Sequence, residues 1–196
     1  MRTTLASILA AAALFAAGCH HDKNSTGATT APAPGESTTG TVTPTGKHAA
    51  AQMVGTQGHE TVKGTVTFEE KDGKVIAKAE ITGLTPGDHG FHIHEKGDCS
   101  APDATSAGGH FNPSGHKHGS PDTAEHHEGD LGNLTADAGG NASKSITLTD
   151  VTIGDGSPKD IVGKGFIIHE KADDFTTQPT GNSGARVACG VIMAPQ

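Results

Sequence analysis

The 196-residue chain has no tryptophan, no tyrosine and only six phenylalanines. Its core must therefore come from aliphatic side chains and those few rings. No stretch carries a long apolar face at the 3.6-residue period, which excludes a helical bundle. The one long apolar run, Leu5 to Ala17, is broken only by Ser7 and is thirteen residues long. A bilayer-spanning helix needs ~20. Positive charge is also scarce, with 14 Lys and Arg against 22 Asp and Glu and a net charge of −8 with histidine neutral. That balance argues against a nucleic-acid partner. Cysteine occurs three times, at Cys19, Cys99 and Cys189.

Met1 to Gly18 places a single arginine ahead of the apolar run, the pattern of a secretory signal. It ends in Ala16-Ala17-Gly18-Cys19, which resembles a bacterial lipobox. The resemblance implies that Cys19 is acylated and becomes the mature N-terminus. From His20 to about Lys47 the composition is Thr, Ala, Pro, Gly and Ser, too poor in large apolar residues to fold. The expected organisation is thus a signal over residues 1–18, a lipid-anchored flexible linker over 19–48, and one domain over 49–196. The expected location is the periplasm or cell envelope, on a membrane reached through Cys19.

Within that domain, strand signals recur at Ala50–Val54, Val62–Glu69, Lys74–Thr82, Gly87–Glu95, Gly129–Ala136, Ala142–Thr149, Gly165–His169 and Ala185–Met193. Val62, Gly64, Val66 and Phe68 alternate with Thr and Lys, as do Val75, Ala77, Ala79 and Ile81 on the next segment. This is the pattern of half-buried antiparallel sheet. An all-β fold follows.

Histidine is concentrated between Gly90 and Asp130, in GFHIHEKGDCSAPDATSAGGHFNPSGHKHGSPDTAEHHEGD. His92 and His94 stand two apart on a strand, so both rings face one way while Phe91 and Ile93 face the other. His110, His116, His118, His126, His127 and Asp130 follow in a Gly-, Pro-, Ser- and Asp-rich segment, the composition of an ordered loop. Such a loop can fold several donors around one ion. A histidine pair at this spacing is also common on surfaces, and a histidine-rich tract can be a loose scavenging patch.

Five motifs in order, GFHIHEKGDC, SAGGHFNPSGHKHG, HHEGDLGNLTAD, IIHEKADD and GNSGARVACGVI, closely resemble copper/zinc superoxide dismutase from about Ala49 to the C-terminus. The resemblance implies an eight-stranded Greek-key β-barrel or sandwich with long metal-binding and guiding loops. It implies copper on His92, His94, His110 and His169, and zinc on His110, His118, His127 and Asp130, with His110 shared. His116 and His126 match no ligand position. Arg186 would position the superoxide anion, His110 would carry a proton, and Asp173 would link copper and zinc ligands through their outer nitrogens. Cys99 and Cys189 would form a disulfide, which an exported chain permits. The reaction implied is conversion of superoxide to dioxygen and hydrogen peroxide, protecting the cell envelope.

The segment from Glu170 to Gly184 resembles the family's guiding loop but is shorter than in animal enzymes and lacks their lysine and glutamate cluster, leaving Lys171 and Lys117 as candidates for steering. Two other classes use the same residues: a buffer or carrier of copper and zinc without turnover, and a surface lipoprotein displaying the barrel. Arg186 favours the enzyme, because a buffer has no use for an arginine at an open site. As an assembly, the chain is expected to be a monomer or a homodimer.

Overall fold

The computed structural model describes residues 46–195. The expected signal, Cys19 and nearly all of the linker lie outside the described residues. Eight strands follow in order: β1 (His48–Gly55), β2 (Lys63–Lys71), β3 (Lys74–Thr82), β4 (Gly87–His94), β5 (Asp130–Ala136), β6 (Ala142–Leu148), β7 (Gly165–His169) and β8 (Arg186–Met193). The helical content among the described residues is one 3-10 turn, Thr105–Ala107. The strands form one antiparallel sheet in the order β5-β4-β7-β8-β1-β2-β3-β6, in which the β3–β4 and β6–β7 connections skip strands. The all-β expectation and the strand count both hold.

Strand formation follows the alternation. Val66 and Phe68 on β2 and Val75, Ala77, Ala79 and Ile81 on β3 are buried, while their neighbours Thr67, Lys78 and Glu80 face solvent. The β2–β3 register ends at Lys71↔Lys74, leaving Asp72 and Gly73 as a two-residue loop with φ of 53° and 71°. Positive φ at both positions suits the right-handed twist of the strands it joins. Three of the six phenylalanines meet edge to face in the core, Phe166 lying 5.9 Å from Phe68 and 5.7 Å from Phe91 between ring centroids.

The two edge strands, β5 and β6, lie against each other without a ladder, so the barrel is nearly closed. Lys144 on β6 reaches across this seam and donates to the carbonyls of Asn133 (2.7 Å) and Leu131 (3.5 Å) on β5. Its ammonium also lies 5.1 Å from the centre of the Phe91 ring.

Loops 95–129 and 170–185 emerge where β4 and β7 end, and backbone bonds pin the first of them. Ile93 donates to Gly129 (2.9 Å), Phe111 to Ile93 (2.8 Å) and Gly129 to Phe111 (2.8 Å), while His94 and His110 form an isolated bridge. Strand β4 thereby holds both ends of the histidine-rich loop. A Cys99–Cys189 disulfide, with its α-carbons 5.8 Å apart, ties the loop's start to β8.

Candidate metal centre

On β4 the pleat sends Phe91 and Ile93 into the hydrophobic core and His92 and His94 to the opposite side, where all four are buried. His169 ends β7 at a register shift after Ile168, and Arg186 opens β8 as its partner in the ladder. His110 is fixed by its bridge to His94. These elements assemble two groups of donors. His92, His94, His110 and His169 form one; His110, His118, His127 and Asp130 form the other. In each group the donor atoms lie within 4.8 Å of one another, and every residue is buried. His116 and His126 belong to neither group.

The hydrogen bonds decide which ring nitrogens remain for a metal. His92 donates from Nε2 to Asp173 Oδ2 (2.8 Å), and His118 from Nε2 to Asp173 Oδ1 (2.9 Å). His94 donates from Nδ1 to the Gly108 carbonyl (2.9 Å), and the Nδ1 of His169 lies 3.4 Å from the Gly184 carbonyl. The opposite nitrogens, His92 Nδ1, His94 Nε2, His110 Nε2 and His169 Nε2, are buried and have no partner in the protein. Four orphaned lone pairs in one place are costly unless an ion satisfies them.

The second group is built around Asp130 Oδ1, which lies 2.8 Å from His110 Nδ1, 3.0 Å from His118 Nδ1 and 3.3 Å from His127 Nδ1. The His127 and His110 Nδ1 atoms are 3.5 Å apart. Zinc bonds of about 2.0–2.1 Å put the edges of a tetrahedral site at roughly 3.3 Å, so these separations fit that ion. His118 Nδ1 approaches the carboxylate without hydrogen-bond geometry and also counts as orphaned. His110 turns one ring nitrogen to each group.

Charge follows burial and neighbours. Burial holds His94 and His169 well below the ordinary imidazole value and lowers His92, while His110 falls to about 4 because burial outweighs Asp130. The first group therefore offers neutral imidazoles at pH 7. Burial also lowers His118, but Asp130 and Asp173 outweigh it and raise the ring to about 9. A metal entering the second group must displace that proton. Burial pushes the Asp130 and Asp173 carboxyls up, and their histidine neighbours more than reverse this, holding both below the usual carboxylate range.

Arg186 donates from Nη1 to the Ala104 carbonyl and from Nη2 to the Gly108 carbonyl, each at 2.6 Å. The Gly108 carbonyl is also the acceptor for His94, so the guanidinium stands beside the first group. Arg186 lines an open cleft of about 270 Å³ with Thr56, His59 and Asp103. A larger cavity of about 660 Å³ runs along β1, β2 and β8, but none of the clustered histidines lines it. The smaller opening is the one connected to the donor groups, through Arg186, which lines it and shares the Gly108 carbonyl with His94.

The profile of the family described as copper/zinc superoxide dismutase (SODC) matches residues 62–192. The chain belongs to the copper/zinc superoxide dismutase family. It is 46% identical over 138 residues to "Superoxide dismutase [Cu-Zn] A" of Xenopus laevis, a match covering 67% of this chain and 89% of the relative. Among solved structures it resembles the clock protein EA4, with a TM-score of 0.69 and 40% identity over 77% of this chain and 96% of that one. As a member of the superoxide dismutase family the chain is an oxidoreductase whose cofactors are copper and zinc, and the orphaned nitrogens fit both ions.

Several residues that shape this dismutase centre are not ligand types at ligand positions, although Asn133 and Gly108 fall within the motifs. His89 joins the backbone of His169 through Nδ1 (2.7 Å) and of Thr85 through Nε2 (2.8 Å), bracing the strand end that presents His169. Asn133 receives the Asp173 amide (2.7 Å) and donates to its carbonyl (2.9 Å). The Ala104 and Gly108 carbonyls that hold Arg186 are backbone groups, which residue types do not reveal.

Proposed function

We propose that this chain converts two superoxide anions and two protons to dioxygen and hydrogen peroxide, with His92, His94, His110 and His169 holding copper and His110, His118, His127 and Asp130 holding zinc. The observation that carries this reading is the placement of Arg186, which shares the Gly108 carbonyl with His94 and lines an open cleft. Bound copper supplies a reversible one-electron change and bound zinc a charge that does not cycle. The arginine's fixed positive charge draws in and orients the anion. A cleft focuses the field of the charges lining it, so this local charge prevails over the net −8 of the chain. Exposed Lys171 and Lys117 add to the attraction. His110 Nε2 is the atom placed to pass a proton to the reduced anion. Asp173 is a positioning residue, holding His92 and His118 so that each turns Nδ1 inward.

The proposal extends to placement in the cell. Residues 1–18 act as a signal, 19–48 as a linker anchored through lipid on Cys19, and 49–196 as the enzyme domain, which removes superoxide at the periplasmic side of the envelope. The apolar run, the Ala16-Ala17-Gly18-Cys19 sequence and the Cys99–Cys189 disulfide, which an oxidising compartment favours, support this reading. Both donor groups are complete within one chain, so a monomer or a homodimer serves equally.

A metal buffer would use the same donors but has no need of the arginine. Two variants separate the readings, with copper and zinc content measured beside superoxide consumption. Arg186→Ala keeps both metals and lowers the rate at limiting superoxide by roughly tenfold or more. His110→Ala loses metal from both groups. Full activity in a metal-replete Arg186→Ala protein, or in His110→Ala, contradicts the assignment.

A further inference from the structure

His116 and His126 stand outside the two donor groups, yet they line a cavity of about 90 Å³ together with Glu128, Asp150 and Lys159. His126 donates from Nδ1 to the Thr123 carbonyl (2.7 Å), and His116 from Nδ1 to the His126 carbonyl (3.3 Å). Each ring therefore keeps an Nε2 lone pair, the same arrangement that prepares His94 in the first group. Asn112 brackets the backbone of His116, accepting from its amide (3.0 Å) and donating to its carbonyl (2.9 Å).

The second observation is Glu128. Its side chain is 3% exposed, Ser114 donates to its Oε1, and its Oε2 is buried with no partner in the protein. The nearest cation is Lys159, 3.9 Å from Oε1, which also pairs with Asp150 at 3.3 Å and is 41% exposed. A buried carboxylate with one oxygen unsatisfied is costly unless a cation or donor meets it. We propose that His116, His126 and Glu128 form a third divalent-cation site, distinct from the copper and zinc groups, at which Asp150 is a further oxygen donor.

Two imidazoles and a carboxylate select ions of the zinc class over magnesium or calcium, which prefer all-oxygen shells. These donors do not all lie within 4.8 Å of one another as those of the buried groups do. Binding therefore requires exposed His116 to turn inward and Lys159 to withdraw, so the affinity is lower than at either buried group. A cation here joins the segment carrying His118 and His127 to the β6–β7 connection carrying Asp150.

The test is calorimetric titration of the full chain, already loaded with copper and zinc, with Zn²⁺, alongside metal analysis after dialysis against Zn²⁺. One further equivalent binds, Ni²⁺ competes for it and Mg²⁺ does not. His116→Ala and Glu128→Gln each abolish it, while copper content, the first zinc and the dismutase rate stay as in the parent. Glu128→Gln keeps the side chain's shape, so the comparison survives if a larger change unfolds the protein. Absence of the further equivalent in the parent overturns the proposal. Its full retention in both variants does so too, since the ion then sits elsewhere in the chain.

Discussion

Single residues set the tolerance of the centre. Gly181 has φ of 65°, and a β-carbon there would strike the Asp173 carboxylate and come 2.6 Å from His118 Nε2. The side chain of Asp173 can hold His92 and His118 only because residue 181 has none. Gly181→Ala combines a left-handed backbone with displacement of two hydrogen bonds, a cost of about 2–4 kcal/mol. Denaturant unfolding of the metal-loaded variant, with zinc content measured beside it, is expected to show that loss together with weakened zinc retention. Parent-like stability with full zinc would contradict the account of Asp173. The sequence around this glycine, GNSG, opens one of the motifs but does not show the constraint, because that comes from a carboxylate eight residues away. His92 and His94 are the opposite case, since their spacing on a strand determines their common side. Glu128 carries no signal in sequence: it follows His126 and His127 in a polar loop, and its burial is a property of the folded chain alone.

At the scale of elements, the centre is a joint between β4, the end of β7, the start of β8 and two loops. The strands were legible from alternation, with ends displaced by one or two residues at most. The loops were legible only as motifs, because their course depends on contacts such as Arg186 to the Ala104 carbonyl and Asn133 to Asp173. The Cys99–Cys189 link closes 90 residues of sequence, and loop entropy alone puts its contribution near ~4–5 kcal/mol. The donor groups also make the metal-free joint sensitive to pH. Folded His94 and His169 titrate well below the ordinary value, His92 below it and His110 at about 4, whereas the unfolded chain binds protons near ~6.5. The unfolded state then takes up more protons as pH falls, and stability is lost from ~6.5 downwards. His118, raised to about 9, contributes stability that is complete below ~6.5 and disappears as pH climbs towards 9. The melting temperature of chelated protein is therefore expected to peak near pH ~7, where the unfolded histidines together bind as many protons as folded His118, and fall more steeply on the acid side, where four histidines act against one. A flat profile between pH 6.5 and 4 would contradict the burial of neutral imidazoles.

For the whole molecule, acidity, metal content and the proposed export form one account. A chain with net charge −8 can still attract an anion, because encounter depends on the field at the cleft rather than on the sum. Anchoring belongs to this scale as well. One acyl chain holds a membrane only weakly, so stable anchoring at Cys19 implies more than one. The parent is expected to partition into detergent, and Cys19→Ala to appear in the soluble exported fraction. A parent that stays wholly soluble removes the lipid anchor from the account. The fold was legible at this scale because the motifs occur in order along a chain of alternating strands. The barrel followed from the resemblance, but the way its β5–β6 seam is held did not, since Lys144 spans it by bonding backbone carbonyls. The most direct measurement of the central claim is superoxide consumption by the purified full chain, metal-free, with zinc alone, and with copper and zinc together. The account predicts that activity appears only with copper, at one copper and one zinc per chain. Activity in the metal-free or zinc-only protein, or none with both ions bound, would contradict it.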